Sequence, residues 1–466
     1  MDGLRRQNHG VLAAVAAFVV VLLIAIAGFS YLKAQPGSVI SQIPFISSDQ
    51  PKSLISHLLG FDGPRTFLVL LLNNTEMRPA GGFIGTYAIV SVHKGKLLDV
   101  TVQGTERLDL VAPAQVVIPP PKPMKDFLKL KQWQFRDSNW SPDFQESAMW
   151  ALWLYRQEGG QDWDKLDGVI GVTATVLEEL VALTGPISSG VVTLSPGSAV
   201  SDLEYEVEYG FVQRGIAVVD RKNVLQGLAQ ELLSKMVKAG PSKWRAMLGA
   251  LTDMGAQKHV IMYSVHPQIQ KALEGRGWAG RVEPFEQDGF MVVDANLGAL
   301  KTDHALERTF NYSISEQDEQ LVGEIRATYN HVGSYDWRTT RYRSYTRIYI
   351  PEDATLIDTD GFLDVYSPNL IVEPDIGERV GMIALGGYVR VAPGESHDVV
   401  VRYILPDHVQ KKAKKGKYQL DVYKQIGLRG AQLTLDLDFG KTKSQSGSRY
   451  SASTPLKEDF TLELDL

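Results

Sequence analysis

The chain has no cysteine among its 466 residues, which excludes a disulfide framework, a thiolate nucleophile and any Cys-bearing zinc or iron–sulfur site. It says little about compartment, because an oxidising exterior permits disulfides without requiring them. A basic excess is also missing. Forty-eight Lys and Arg against 54 Asp and Glu leave a net charge of −6, which argues against nucleic acid as the main partner. No G-x-S-x-G elbow and no H-E-x-x-H occurs, and the nine histidines do not group along the chain with metal-ligand spacing. Gly440-Lys441-Thr442 resembles the tail of a phosphate loop, but Leu435 stands where its first glycine belongs. What is present is ample core material: 44% hydrophobic residues over a length suited to two or three domains.

Val11–Phe29 is a run of 19 residues without a charged or strongly polar side chain. As a helix it spans ~28 Å, close to the ~30 Å hydrocarbon core of a bilayer. Arg5 and Arg6 precede it, and only Lys33 follows closely, so the positive-inside rule places residues 1–10 in the cytoplasm and the chain beyond Ser30 outside. The expected address is the cell membrane, by a single-pass anchor. A cleaved signal peptide, with Ala25-Ile26-Ala27 as its site, is the competing reading; it exports the remainder equally. Residues 30–62, with Pro36, Gly37, Pro44 and Pro51, read as a linker with one short helix at Lys52–Leu59.

From 63 to 304 strands and helices alternate, which implies an α/β layered domain with a mixed sheet. Phe67–Leu72 is a buried strand with Phe83–Val92 and Leu97–Gln103 as neighbours. Ser141-Pro142 opens a helix running to about Glu158. Gly168–Val172 is a strand, Ala174–Thr184 a helix closed by Gly185-Pro186, and Asn223–Ala239 and Pro241–Met254 are further helices. Lys258–Val265, Pro267–Leu273 and the strand Gly289–Asp294 complete this alternation. Over 305–466 the period changes to 2, and Leu321–Tyr329, Ser344–Ile350, His397–Leu405, Tyr418–Tyr423, Gln432–Phe439 and Phe460–Leu464 read as strands of an all-β sandwich. The lysines at 411, 412, 414, 415 and 417 read as a solvated hairpin loop, with an anionic polymer as the alternative contact.

Candidate site residues are arginines at the ends of α/β elements. Asn74, Arg78, Gly81 and Gly82 follow the buried strand, where ligands of open α/β sheets sit; a tight strand connection explains them equally well. Arg136, Asp137 and Asp143 lead into a helix N-terminus suited to anions, unless Asp143 is itself the anion held there. Arg214, Arg221 and Lys222 precede the helix at 223, and guanidinium groups bind phosphate oxygens in bidentate fashion. Glu204, Glu206 and Glu208 read as one face of a strand, solvated or cation-binding. Lys301 and Asp303 lie in the junction between the two domains.

The stretches LVLLLNNTEMRPAGGFIGTYAIV, RDSNWSPDFQESAMWALWLYRQEGG, LDGVIGVTATVLEELVALTGPI and DANLGALKTD resemble the bacterial domain-of-unknown-function family 4012 over roughly residues 63–460. The order of elements is also similar to the LytR–CpsA–Psr envelope phosphotransferases, which have one N-terminal membrane helix and an exported α/β domain. That likeness implies transfer of polyprenyl-pyrophosphate-linked glycopolymers onto the cell wall, with arginines around a pyrophosphate and acidic residues around Mg²⁺. It places Arg78, Arg107 and Arg221 on the pyrophosphate. Gly82-Phe83-Ile84 stands where those enzymes keep an acidic residue, so Asp137 or Asp143, with Arg136, would have to supply the catalytic groups. The expectation is a membrane-anchored envelope protein that transfers or binds a lipid-linked glycopolymer, with Mg²⁺ as the cofactor. The alternative is a non-catalytic glycan- or lipid-binding surface protein.

Overall fold

The computed structural model describes residues 54, 56–111, 118–216, 224–367, 369–440 and 449–466. Val11–Phe29, most of the linker, Arg221 and Lys222 lie outside the described residues. Among the described residues no helix is long and apolar enough to cross a membrane.

The first sheet is built on β1 (Arg65–Asn73). It has the order β3-β2-β1-β4-β7, from β2 (Phe83–His93), β3 (Lys96–Gly104), β4 (Gly168–Thr173) and β7 (Val260–Ser264). β1 and β4 run parallel and the other pairs antiparallel, so the sheet is mixed. β1 is apolar at consecutive positions because both of its faces are covered. Phe67 and Val69 enter the core on one face, while Leu68, Leu70 and Leu72 enter the core on the other.

The helices are α1 (Thr105–Val111), α2 (Lys122–Leu128), α3 (Phe144–Gln157), α4 (Ala174–Thr184), α5 (Ala199–Tyr205), α6 (Val224–Val237), α7 (Pro241–Ala256) and α8 (Pro267–Glu274). α4, α5, α6 and α7 share the core that receives Val69, whereas α3 packs on the opposite face through Phe144, Ala148, Ala151 and Leu154. A short hairpin, β5 (Ile187–Ser189) and β6 (Val192–Leu194), closes the first of these layers.

The second half contains β8 (Asp288–Asn296), β9 (Leu306–Gln317), β10 (Gln320–His331), β11 (Tyr342–Pro351), β12 (Thr355–Asp360), β13 (Asp375–Arg379), β14 (Met382–Val391), β15 (Ser396–Ile404), β16 (Lys417–Tyr423), β17 (Gln432–Asp438), β18 (Arg449–Pro455) and β19 (Phe460–Asp465). They form two six-stranded sheets, β12-β15-β10-β9-β17-β18 and β13-β14-β11-β8-β16-β19. One apolar core draws Ile325, Val399 and Leu435 from the first sheet and Phe290, Ile348 and Leu420 from the second. Both sheets are mixed, because β17 runs parallel to β9 and β16 parallel to β8.

Four expectations are corrected. The strand expected at Gly289–Asp294 does not continue the first sheet; it is β8, paired with β11 and β16. The helix after Ser141-Pro142 begins at Phe144, and Asp143 caps it by accepting from the Glu146 amide at 3.1 Å. Glu204, Glu206 and Glu208 lie on α5 and its wide-turn continuation Glu206–Gly210, not on a strand. Lys411, Lys412 and Lys414 sit in the last turn of α9 (Asp407–Lys414), where cations suit the helix dipole, rather than in a hairpin loop.

A polar knot lies inside this second core. The fully buried Asp288 carboxylate accepts from the phenols of Tyr403 (2.9 Å), Tyr418 (2.6 Å) and Tyr312, and from the Gly289 amide at 2.9 Å. Burial raises its pKa, opposed by those hydrogen bonds. Asp288→Asn keeps the shape but turns one acceptor into a donor facing donors. It should cost ~1–3 kcal/mol, read as a lower thermal midpoint. An unchanged midpoint would mean that the carboxyl is already protonated and donates one of these bonds itself.

Candidate functional site

Between the sheet and the helices of its α4 face lies a cavity of about 500 Å³. Its walls are side chains that amphipathic patterning sends inward: Leu71 of β1, Val172 of β4, Val176 and Leu180 of α4, Leu203 of α5, Leu228 and Leu232 of α6. Its polar groups are at the carboxyl end of β1 and along α5, where Glu76, Glu106, Arg136, Glu204, Glu208 and Lys301 line it. The volume falls within the ~300–1,000 Å³ of small-molecule sites, and an apolar body with few polar groups is their usual composition.

Among the described residues, Arg136 is the one sequence-nominated arginine that lines this cavity. Its Nε lies 3.1 Å from Asp109 Oδ2 and 4.0 Å from Asp137 Oδ2, and Nη2 donates to Gln134 Oε1 at 2.5 Å. Behind it lie the carboxyl groups of Asp109 and Glu158, which influence one another's ionisation, and Glu158 Oε1 accepts from the Phe135 amide at 2.8 Å. Desolvation pushes Glu158 up to about 8 and Asp109 up to about 6, with Arg136 pulling Asp109 back. Two neighbouring carboxyls in a desolvated site hold a proton between them more readily than two charges.

Such a pair binds its proton more tightly when folded than when unfolded. Its contribution to stability is therefore greatest at low pH and is lost as pH rises from the ordinary carboxyl range through about 8. Glu158→Gln keeps the acceptor for the Phe135 amide and removes the ionisation. Plotted against pH, the variant's unfolding free energy should fall less steeply than the wild type's between roughly pH 5 and 8. Parallel curves would show that the pair carries no such proton.

Several of the other nominated residues serve structure. Arg78 is buried at 3% exposure, donates to the Asn296 and Met77 carbonyls at 2.6 and 3.2 Å, and faces Glu76 at 3.4 Å and Asp137 at 3.6 Å. It pins β8 to the loop after β1. Asn74 donates to Thr175 Oγ1 and the Gly427 carbonyl, both at 2.8 Å. Gly82, at φ +149°, lies so close to Asn73 that a Cβ would meet its carbonyl at 2.4 Å, and a Cβ on Gly427 would meet the Gly81 carbonyl at 2.3 Å. The glycine pair therefore admits the protein's own backbone rather than a ligand's.

Asp143 is consumed by its cap, by Arg281 Nε at 2.8 Å and by the Val282 amide at 3.0 Å, so it is not a spare catalytic carboxylate. Arg107 is exposed on α1 and Arg214 is paired with Glu206; neither lines the cavity. The expected convergence of arginines on one mouth is thus confined, among the described residues, to Arg136, with Arg78 one carboxylate away.

Sequence reasoning missed Asp109, Glu158 and the cavity-lining role of Lys301, whose Nζ lies 3.6 Å from Glu208. One signal was available. Glu158 ends a helix at Gly159-Gly160, where an anion opposes the dipole, and such a local inconsistency marks a residue kept for another reason.

Residues 62–207 match the family described as Protein of unknown function (DUF4012). The matched segment carries β1 to β6 and α1 to α5, and hence the cavity walls apart from those on α6 and the lining residues Glu208 and Lys301. No curated protein matches the chain. A crystal structure of a "putative nutrient binding protein" from Legionella pneumophila is similar at 10% identity and a TM-score of 0.25, over 38% of this chain and 71% of that one. A likeness at that level carries no argument about this chain.

Proposed function

We propose that this is an exported, membrane-anchored envelope protein that binds a lipid-linked anionic glycan of the polyprenyl-pyrophosphate class, its apolar chain in the cavity and its headgroup at Arg136 and Lys301. The observation that carries this reading is the cavity itself: an apolar chamber opening beside a guanidinium and an ammonium group. The resemblance to envelope phosphotransferases and the apolar run Val11–Phe29 support it.

Mg²⁺, which that resemblance implies, fits the residues poorly. Glu204 already accepts from Thr75 Oγ1 and Arg338 Nη1, Glu208 faces Lys301, and Glu76 faces Arg78. No step is therefore routed through a metal here, and the binding role is the primary reading. A second reading, transfer of the glycan, is favoured by one observation: the raised carboxyls of Asp109 and Glu158 lie directly behind Arg136, as a proton donor and acceptor pair would.

Full-length protein incubated with a polyprenyl-pyrophosphate-linked saccharide should retain it saturably, and a water-soluble saccharide diphosphate only weakly. Absence of retention for both would overturn the proposal. Turnover with an acceptor polymer that Arg136→Lys abolishes would establish the transfer reading in place of the passive one.

A further inference from the structure

The amino end of β1, remote from the cavity mouth, gathers three potential metal ligands from distant parts of the chain. In the sheet register Phe67 faces Gly168, and Gly168 faces Ser264, so Asp167 and His266 emerge side by side next to Thr66. His57, from the short helical turn that leads into the domain, packs its ring edge-on against His266 with centroids 4.7 Å apart. A nitrogen or oxygen of each of the three lies within 4.8 Å of the others.

We propose that His57, Asp167 and His266 form a binding site for a divalent transition metal of the zinc class. Two imidazoles and a carboxylate are the ligand types such an ion takes, with one position left for water. The outer contacts are already those of a metal site. His57 is 3% exposed, its Nδ1 is held by Asp62 Oδ2 at 3.3 Å, and its Nε2 has no hydrogen-bond partner. A carboxylate that fixes one ring nitrogen and frees the other is the usual outer partner of a ligating histidine. Asp167 Oδ2 accepts from the Thr66 amide at 2.7 Å, which leaves Oδ1 turned toward His266 Nε2 at 2.9 Å.

A cation already stands beside two of the three groups. Arg65 Nη1 is 3.0 Å from Asp167 Oδ1 and 3.5 Å from His266 Nε2. The same guanidinium holds Asp62 through Nη2 at 2.9 Å, so it retains a partner when the ion displaces Nη1. Zinc bonds of ~2.0–2.1 Å set ligand atoms ~3.4 Å apart, so Asp167 and His266, now 2.9 Å apart, open by ~0.5 Å on binding, while His57, within 4.8 Å of both, closes toward them. The histidines fail to group along the sequence because sheet register, not spacing, brings them together.

The test uses the chelator-treated full-length protein titrated with Zn²⁺ alone and with Co²⁺ alone. One equivalent should bind, Co²⁺ should show the intense visible absorption of a four-coordinate site, and Zn²⁺ should raise the thermal midpoint. His266→Ala should weaken binding by ~100-fold or more and Asp62→Ala by ~10–100-fold. His57→Gln, which can keep a bond to Asp62, serves if His266→Ala fails to fold. Arg65→Met should bind as tightly as the wild type or more so, because the competing cation is gone. Absence of saturable uptake in both the wild type and Arg65→Met, or uptake unchanged in the folded ligand variants, would overturn the site. Glycan binding at the far end of β1 is measured separately, so the two proposals fail independently.

Discussion

A chain with both Leu177 and Leu203 replaced by tryptophan should lose long-chain lipid binding by ~10–100-fold, equivalent to ~1.4–2.8 kcal/mol, while remaining folded. Both leucines line the cavity and are only partly buried, one on α4 and the other on α5. Indole rings placed there enter open volume rather than a packed core, so overpacking strain stays small. The ligand's apolar tail is excluded because its place is filled. A short-chain analogue that reaches only the mouth should bind the variant as it binds the wild type, and that contrast separates loss of the chamber from loss of fold. Arg136→Lys should show the reverse pattern, weakening both ligands, because a compact ammonium group cannot reproduce bidentate contact with a diphosphate. Equal affinity of the double variant and the wild type for the long-chain lipid would mean that the tail lies elsewhere.

Arg308→Met should be the most destabilising single substitution among the charged residues described, by ~3–5 kcal/mol, measured as denaturant or thermal unfolding. Arg308 is buried, with Nε 2.8 Å from Asp294 Oδ2, and Nη2 2.5 Å from Asp303 Oδ1 and 2.9 Å from the Tyr342 phenol. Removing it leaves two carboxylates without a counter-ion. Asp303 also accepts from the Met77 amide at 3.0 Å and from Asn296 at 2.8 Å, so the loss spreads to the loop after β1. Replacing Asp294 and Asp303 by Asn and Arg308 by Met together should restore part of the loss, because the uncompensated charge disappears with its partners. A single variant within ~1 kcal/mol of the wild type would show that water reaches this cluster.

The strand β1, the helix α4 with its Gly185-Pro186 stop, and six strands of the second half were legible because periodicity and breakers act locally. Asp143 as a helix anion was legible for the same reason. The allegiance of β8 was not: its apolar run is equally compatible with either sheet, and the choice is made by β11 and β16, far along the chain. The nomination of Arg78 failed for a related cause. A strand-end arginine near glycines reads as a ligand group, yet the carbonyls of Asn296 and Met77 claim it, and only tertiary structure brings Asn296 there. Arg136 survived as a cavity residue, whereas the carboxyl pair behind it comes from α1 and the end of α3, and nothing in either segment announces the other.

The two parallel pairings, β16 with β8 and β17 with β9, set a schedule for how the molecule matures. Until residue 417 has emerged, β8 and β9 each present one unsatisfied ladder, an open template for another chain. Gln425 and Gly427, which hold the Arg78 carbonyl and the Asn74 amide, arrive later still. A nascent chain would thus remain vulnerable to edge-on association until nearly its whole length was made, and truncations before 417 should aggregate rather than yield a smaller folded product.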